Sequence, residues 1–259
     1  MTLIAAAGNE STDLGNPTFD DTSPDFPADA AHERTIDNGC LNLPSEAPHV
    51  LDVSSVGPVN PASSPYPRKA YYSNYGVEQT VVAAPGGDRR EFFGTPQFNA
   101  PENRILAAYP LNVAQGCGEV DANGVPNGNT TCPAAGPRFP PLVRNCANGT
   151  CALYQWIQGT SMASPHAVGV AAIIVAEKGR RDFSRGGLTA DPDKVERVLR
   201  RTATDTPCPA TEPFHYPDPD LPPEIYDATC VGTPAFNGFY GDGIVNALAA
   251  SKSGAGGRR

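Results

Sequence analysis

The sequence predicts an α/β protein built on a mostly parallel sheet. Three features carry that expectation: short apolar, β-branched runs that close on Gly, Pro or Asn; one long stretch of small apolar residues from Ser161 to Glu177; and an amphipathic stretch opening on Asp191-Pro192. At 259 residues the chain is long enough to bury one large core.

In chain order, Leu3 to Ala7 is expected as a buried strand closed by Gly8-Asn9. Glu10 to Pro48 is rich in Asp, Pro, Ser and Asn and has no period of 2 or 3.6, which makes it an ordered surface insertion. Val50 to Val56, Tyr71 to Gly76 and Thr80 to Ala84 are sheet candidates, and Ile105 to Tyr109 is another. Leu111 to Ala152 is a second insertion, rich in Cys, Gly, Asn and Pro, after which Tyr154 to Gln158 resumes a strand pattern.

Ser161 to Glu177 is small and apolar on nearly all sides, the mark of a helix buried within the fold, with Pro165 tolerated in its first turn. Asp191 is placed to cap the next helix, which should bury Val195, Val198, Leu199 and Thr202 and show Lys194, Arg197, Arg200 and Arg201 outward. Ile244 to Ala250 is expected as a last short helix, and 251–259 as a flexible tail.

Composition excludes several function classes. The net charge of −9 argues against a nucleic-acid partner, and no apolar run reaches the roughly 18 residues of a membrane span. The seven cysteines contain no CxxC pair and lie in loop-like stretches, so disulfides and export to an oxidising compartment are expected over a zinc site. Cys117, Cys132, Cys146 and Cys151 form one local cluster, Cys208 and Cys230 a second pair, and one thiol is left over. The sequons at Asn129 and Asn148 matter only in a glycosylating host. Met1 to Gly8 has neither the basic start nor the apolar length of a signal peptide.

A serine hydroxyl becomes a useful nucleophile when a base takes its proton and donors receive the oxyanion that forms. Ser161 at the start of a buried helix has part of this, because helix amides and dipole favour negative charge there. Gly159-Thr160-Ser161 alone reads as an ordinary helix cap. The longer string Gly159-Thr160-Ser161-Met162-Ala163-Ser164-Pro165-His166 resembles the nucleophile motif of the subtilases, the subtilisin-like serine proteases. Ala5-Ala6-Ala7-Gly8-Asn9 is similar to the family segment that delivers an oxyanion-binding asparagine. Segments 72–76, 82–87 and 240–247 extend the likeness over most of 1–250.

The resemblance implies a three-layer subtilisin-like fold lacking its N-terminal strands, and a partial catalytic domain over 1–250 with insertions at about 10–48 and 111–152. It implies Ser161 as nucleophile, Asn9 as oxyanion donor, and Ala6, Ala7, Gly8, Gly159 and Thr160 along the substrate. A polypeptide is the implied substrate and the extracellular space the implied location. No cofactor is required; structural calcium is frequent in the family, but no ligand spacing here identifies a site.

Family order is Asp, His, Asn, Ser, yet neither an Asp-Thr/Ser-Gly nor a His-Gly-Thr string occurs. Asp21-Thr22-Ser23 and Asp205-Thr206-Pro207 lack the glycine and lie on the wrong side of Asn9. His166, five residues past Ser161 on one helix, cannot turn its ring onto that hydroxyl. The triad Asp and His are therefore expected upstream, on a missing N-terminal half that is also the expected partner. This chain alone is expected to be nearly inactive; an inactive fragment or peptide-binding pseudoenzyme is the alternative.

Overall fold

The computed structural model describes residues 1–20, 32–132, 136–184 and 186–253. Leu3–Ala6 forms β1, and two short pieces within the first insertion, β2 (Phe19–Asp20) and β3 (Arg34–Thr35), pair antiparallel. The main sheet is completed by β4 (Val50–Val56) and β5 (Val82–Pro85), in the order β1-β4-β5. Both pairings are parallel, Leu3 opposite Val50 and Val53 opposite Val82. β4 is buried on both faces, as its near-continuous apolar and small residues require of a central parallel strand.

A second sheet is antiparallel. It joins β6 (Ile105–Tyr109), β9 (Val143–Ala147) and β10 (Thr150–Ile157) in the order β6-β10-β9. Between them lie α1 (Leu111–Gly116) and the small pair β7 (Asn129–Thr130) and β8 (Gly136–Pro137). The long helix α2 spans Thr160–Lys178, and after the hairpin β11 (Arg180–Arg181) and β12 (Leu188–Thr189) comes α3 (Pro192–Arg201). A short α4 (Pro223–Tyr226), the pair β13 (Gly232–Thr233) and β14 (Phe236–Asn237), and α5 (Ala247–Lys252) close the fold.

Two apolar clusters sandwich the main sheet. On one face Val53, Val82 and Ala84 meet Ala163, Ala167, Val170 and Ile174 of α2, with Val195, Val198 and Leu199 of α3 behind. On the other, Val56 and Ala83 meet an aromatic group of Tyr71, Tyr72, Tyr75, Tyr216, Phe239 and Tyr240. Asp191 caps α3 by accepting from the Lys194 amide at 3.1 Å, as its position before Pro192 predicts.

Three expectations need correction. Tyr71 to Gly76 is a turn with a single bridge at Tyr75: its backbone bonds irregularly to the 8–14 segment, whose Glu10 and Thr12 amides donate to the Asn74 side chain instead of to a strand. Ile105 to Tyr109 is a strand as expected, and it belongs to the antiparallel sheet. The α2 helix is not buried all round: Val168 is 49% exposed, with Pro165, His166 and Ala172 beside it. The last helix starts at Ala247, where the Asn246 side chain caps it. Asp21-Thr22-Ser23 and most of the tail, 254–259, lie outside the described residues.

The disulfides are Cys117–Cys132, Cys146–Cys151 and Cys208–Cys230, with Cys40 free and exposed. Cys208–Cys230 closes a separation of 22 residues and its Cys230 is in the aromatic cluster. Replacing both its cysteines by serine should lower unfolding free energy by about 3 kcal/mol. The same change at Cys146–Cys151, a separation of 5, should cost less, about 2 kcal/mol. Denaturant titration of the two variants checks the order.

Asp52, in the middle of β4, is 1% exposed and neither carboxylate oxygen has a hydrogen-bond partner among the described residues. Burial, and then the nearby Glu46, push its carboxyl up to about 8. The native state therefore keeps a proton that the unfolded chain releases above its ordinary value of 3.8, and stability falls as pH rises from there to about 8. Asp52→Asn should raise the melting temperature at pH 9 by several degrees, and hardly change it near pH 4. An equal shift at both pH values would rule out ionisation as the cause.

Candidate active site

The expected nucleophile and oxyanion residues meet at the N-terminus of α2. β1 ends at Ala6 and the chain turns through Ala7, Gly8 and Asn9 toward the helix start. There the Asn9 Oδ1 accepts from the Thr160 amide at 2.9 Å and lies 3.1 Å from the Thr160 Oγ1. The Thr160 hydroxyl also reaches the Gly8 carbonyl and amide, each at 3.2 Å. Asn9 thus caps a helix 151 residues further on, which Gly159 at the N-cap has no side chain to do.

With its oxygen spent on the helix, the Asn9 amide nitrogen is the end left to face outward. Asn9 and Ser161 are both exposed, while Ala7 and Thr160 are 0% exposed and Gly159 is buried. Among the described residues the Asn9 Nδ2, the Ser161 amide and the Ser161 hydroxyl have no hydrogen-bond partner. Two donors and one hydroxyl therefore share the same helix end, where the dipole favours negative charge. Ala6 and Gly8 are part-exposed beside them.

Several residues beyond the motif hold this geometry. Glu10 Oε2 accepts from the Asn9 main-chain N–H at 2.7 Å and from Asn74 Nδ2 at 2.9 Å. The Ala7 carbonyl receives Asn74 Nδ2 at 3.0 Å and Asn42 Nδ2 at 2.7 Å. Of these, Asn74 stands inside a segment that carries the family likeness, whereas Glu10 and Asn42 lie in the insertion and carry no sequence signal.

The other side of the nucleophile turn rests on the Pro85-Gly86-Gly87-Asp88 loop. The Gly159 amide donates to the Gly86 carbonyl at 3.1 Å; Gln158 accepts from the Arg89 amide at 2.8 Å and donates to the Tyr71 hydroxyl at 3.0 Å. A Cβ on Gly86 would sit 2.5 Å from the Gly159 carbonyl and 2.0 Å from Ser55 Oγ, so only glycine permits this approach. Gly159 itself has φ +151°. Asp88, fully buried behind the loop, accepts from the Tyr71 and Arg90 amides and is pushed up to about 6, chiefly by burial.

No histidine among the described residues bonds to Ser161. His166 Nδ1 is 2.8 Å from the Met162 carbonyl on its own helix, as the helical geometry predicts, and His215 pairs with Asp227 at 2.8 Å. His32 is exposed on the first insertion and His49 is exposed just after it. Among the described residues one cluster of metal-type donors occurs, Cys208, Glu212 and Cys230, and both its sulfurs are joined in a disulfide. That donor set does not suit calcium, which takes oxygen ligands.

A family model described as the subtilase family matches residues 1–243. No curated protein matches the chain. Among solved structures it is similar to fervidolysin from Fervidobacterium pennivorans, a keratinolytic enzyme related to subtilisin, at 21% identity and a TM-score of 0.40, over 82% of this chain and 20% of that one. It is similar to the patellamide maturation protease PatA at 20% identity and a TM-score of 0.35, over 82% and 45%. It is also similar to the serine protease MycP1 of the type VII (ESX-1) secretion system at 18% identity and a TM-score of 0.39, over 96% and 42%. The chain spans less than half the length of each of these chains.

Proposed function

The chain belongs to the subtilase family, and from that premise we propose that it is the nucleophile-bearing part of a secreted serine endopeptidase whose triad Asp and His are supplied from outside residues 1–259. The observation that supports this most is the Asn9 Oδ1 to Thr160 amide bond, which brings an outward amide and Ser161 to one helix end. In the complete enzyme the supplied His takes the Ser161 proton as Oγ attacks the scissile carbonyl carbon. The oxyanion is received by the Ser161 amide and Asn9 Nδ2; the same His then protonates the leaving amine, and water releases the acyl group. The substrate is a polypeptide lying along Ala6, Ala7, Gly8, Gly159 and Thr160, and no cofactor takes part.

The supplying segment has a surface to fit. β1 pairs with β4 alone among the described residues, Leu3 is 43% exposed at that edge, and Val168 is exposed on α2. Adding a polypeptide that carries Asp-Thr/Ser-Gly and His-Gly-Thr motifs should confer cleavage of labelled casein, read as new amino termini. No cleavage, with the two pieces shown to associate, would favour the second reading, an inactive peptide-binding form. That alternative draws on the Ser161 hydroxyl having no histidine bonded to it among the described residues.

A further inference from the structure

Residues 178–201 hold eight of the 19 Lys and Arg residues against four acids, a net +4 in a chain of −9. Much of this charge is displayed rather than neutralised. The hairpin β11–β12 pairs Arg180 with Thr189 and Arg181 with Leu188, and both arginines are exposed. In the turn between them Phe183 is 91% exposed, and Leu188 is 46% exposed.

Asp191 opens α3 directly after this hairpin. On α3, Lys194, Arg197 and Arg201 line one groove with Val198, spaced so that they share a helix face. None of the three has an ion pair among the described residues. Arg200, on another face, is held by Asp242 at 2.5 Å and Glu196 at 3.2 Å.

A phenyl ring 91% exposed in a hairpin turn is not part of the core, and the unpaired cations of the α3 face that follows it in the chain call for a negative partner. An anionic bilayer offers both solvents at once: phosphates for the cations and an acyl boundary for the ring. No helix among the described residues is long and apolar enough to cross a membrane, so such contact would be peripheral. We propose that the β11–β12 hairpin and the cationic face of α3 dock on an anionic lipid surface, with Phe183 and Leu188 entering the headgroup boundary. This inference is independent of the role given to Ser161.

Co-sedimentation of the chain with phosphatidylcholine vesicles containing about 30% phosphatidylglycerol, against phosphatidylcholine alone, tests it. Binding is expected to the anionic vesicles only, and to weaken as salt rises from about 0.1 M to 1 M. Phe183→Ser should weaken it about tenfold, with the melting temperature unchanged because the ring is already in water. Arg197→Gln with Arg201→Gln should weaken it about 25-fold, roughly fivefold per cation. Equal binding to neutral vesicles, or full binding by Phe183→Ser, would overturn the proposal; the latter would point to a soluble polyanion or an acidic protein.

Discussion

Ser161→Ala, in the chain complemented with its Asp- and His-bearing segment, is expected to lower peptide hydrolysis by on the order of a millionfold. Of the two hydroxyls at the start of α2, that of Thr160 is buried and bonded to Gly8 and Asn9, so Ser161 is the proposed nucleophile; nucleophile and base act as a unit, so loss of either removes nearly the whole covalent route. What survives should be the contribution of the two oxyanion donors, roughly 10³–10⁴-fold over water. The fold should be unaffected: Ser161 is exposed and its side chain bonds to no described residue. Unchanged melting temperature with lost turnover is therefore the expected pair of results, and a large fall in stability would argue for a structural serine.

Substitution of Asn9 has the second largest expected effect, and two variants separate its two jobs. The Oδ1 caps α2 through the Thr160 amide, while the Nδ2 is the proposed oxyanion donor. Asn9→Leu removes both: turnover should fall about 10²–10³-fold, the range known for such a donor in a subtilisin, and stability should fall by about 1 kcal/mol for the lost cap. Asn9→Asp keeps the acceptor and puts a negative charge at a helix N-terminus, so stability should hold or rise. Its turnover should still fall at least as far as that of Asn9→Leu, because a carboxylate offers no proton and repels the oxyanion. If Asn9→Asp kept its activity, the donor role would be wrong and Asn9 would be a cap alone.

The elements most legible in the sequence were those whose pattern is set by local chemistry. β4 runs from Val50 to Val56 as its apolar run indicates, and α3 begins behind Asp191-Pro192 because a side-chain cap and a proline act within one turn. Tyr71 to Gly76 misled because its aromatic residues are those of a strand, while its backbone groups bond irregularly to the 8–14 segment, Gly238 and the Asp88 carboxylate rather than to one sheet strand. In the Leu111 to Ala152 insertion, α1 and β9 are held by disulfides and by the partner strand β10 rather than by their own propensity. Family likeness brought Asn9 and Ser161 to one site, but that the Asn9 oxygen would cap α2 depends on a contact 151 residues apart, which no local pattern expresses. Asn42 on the Ala7 carbonyl and the protruding Phe183 were invisible for the same reason: their meaning lies in what surrounds them in space.

Ser161 is proposed to stand in an assembled oxyanion site whose base is supplied from outside residues 1–259. A fluorophosphonate probe tests it most directly, since phosphonylation needs an activated serine hydroxyl and donors for the developing charge. No labelling is expected of the chain by itself, rapid labelling at Ser161 once a segment carrying the Asp and His motifs is added, and none with Ser161→Ala. Labelling of the isolated chain at the rate of the complemented one would contradict it.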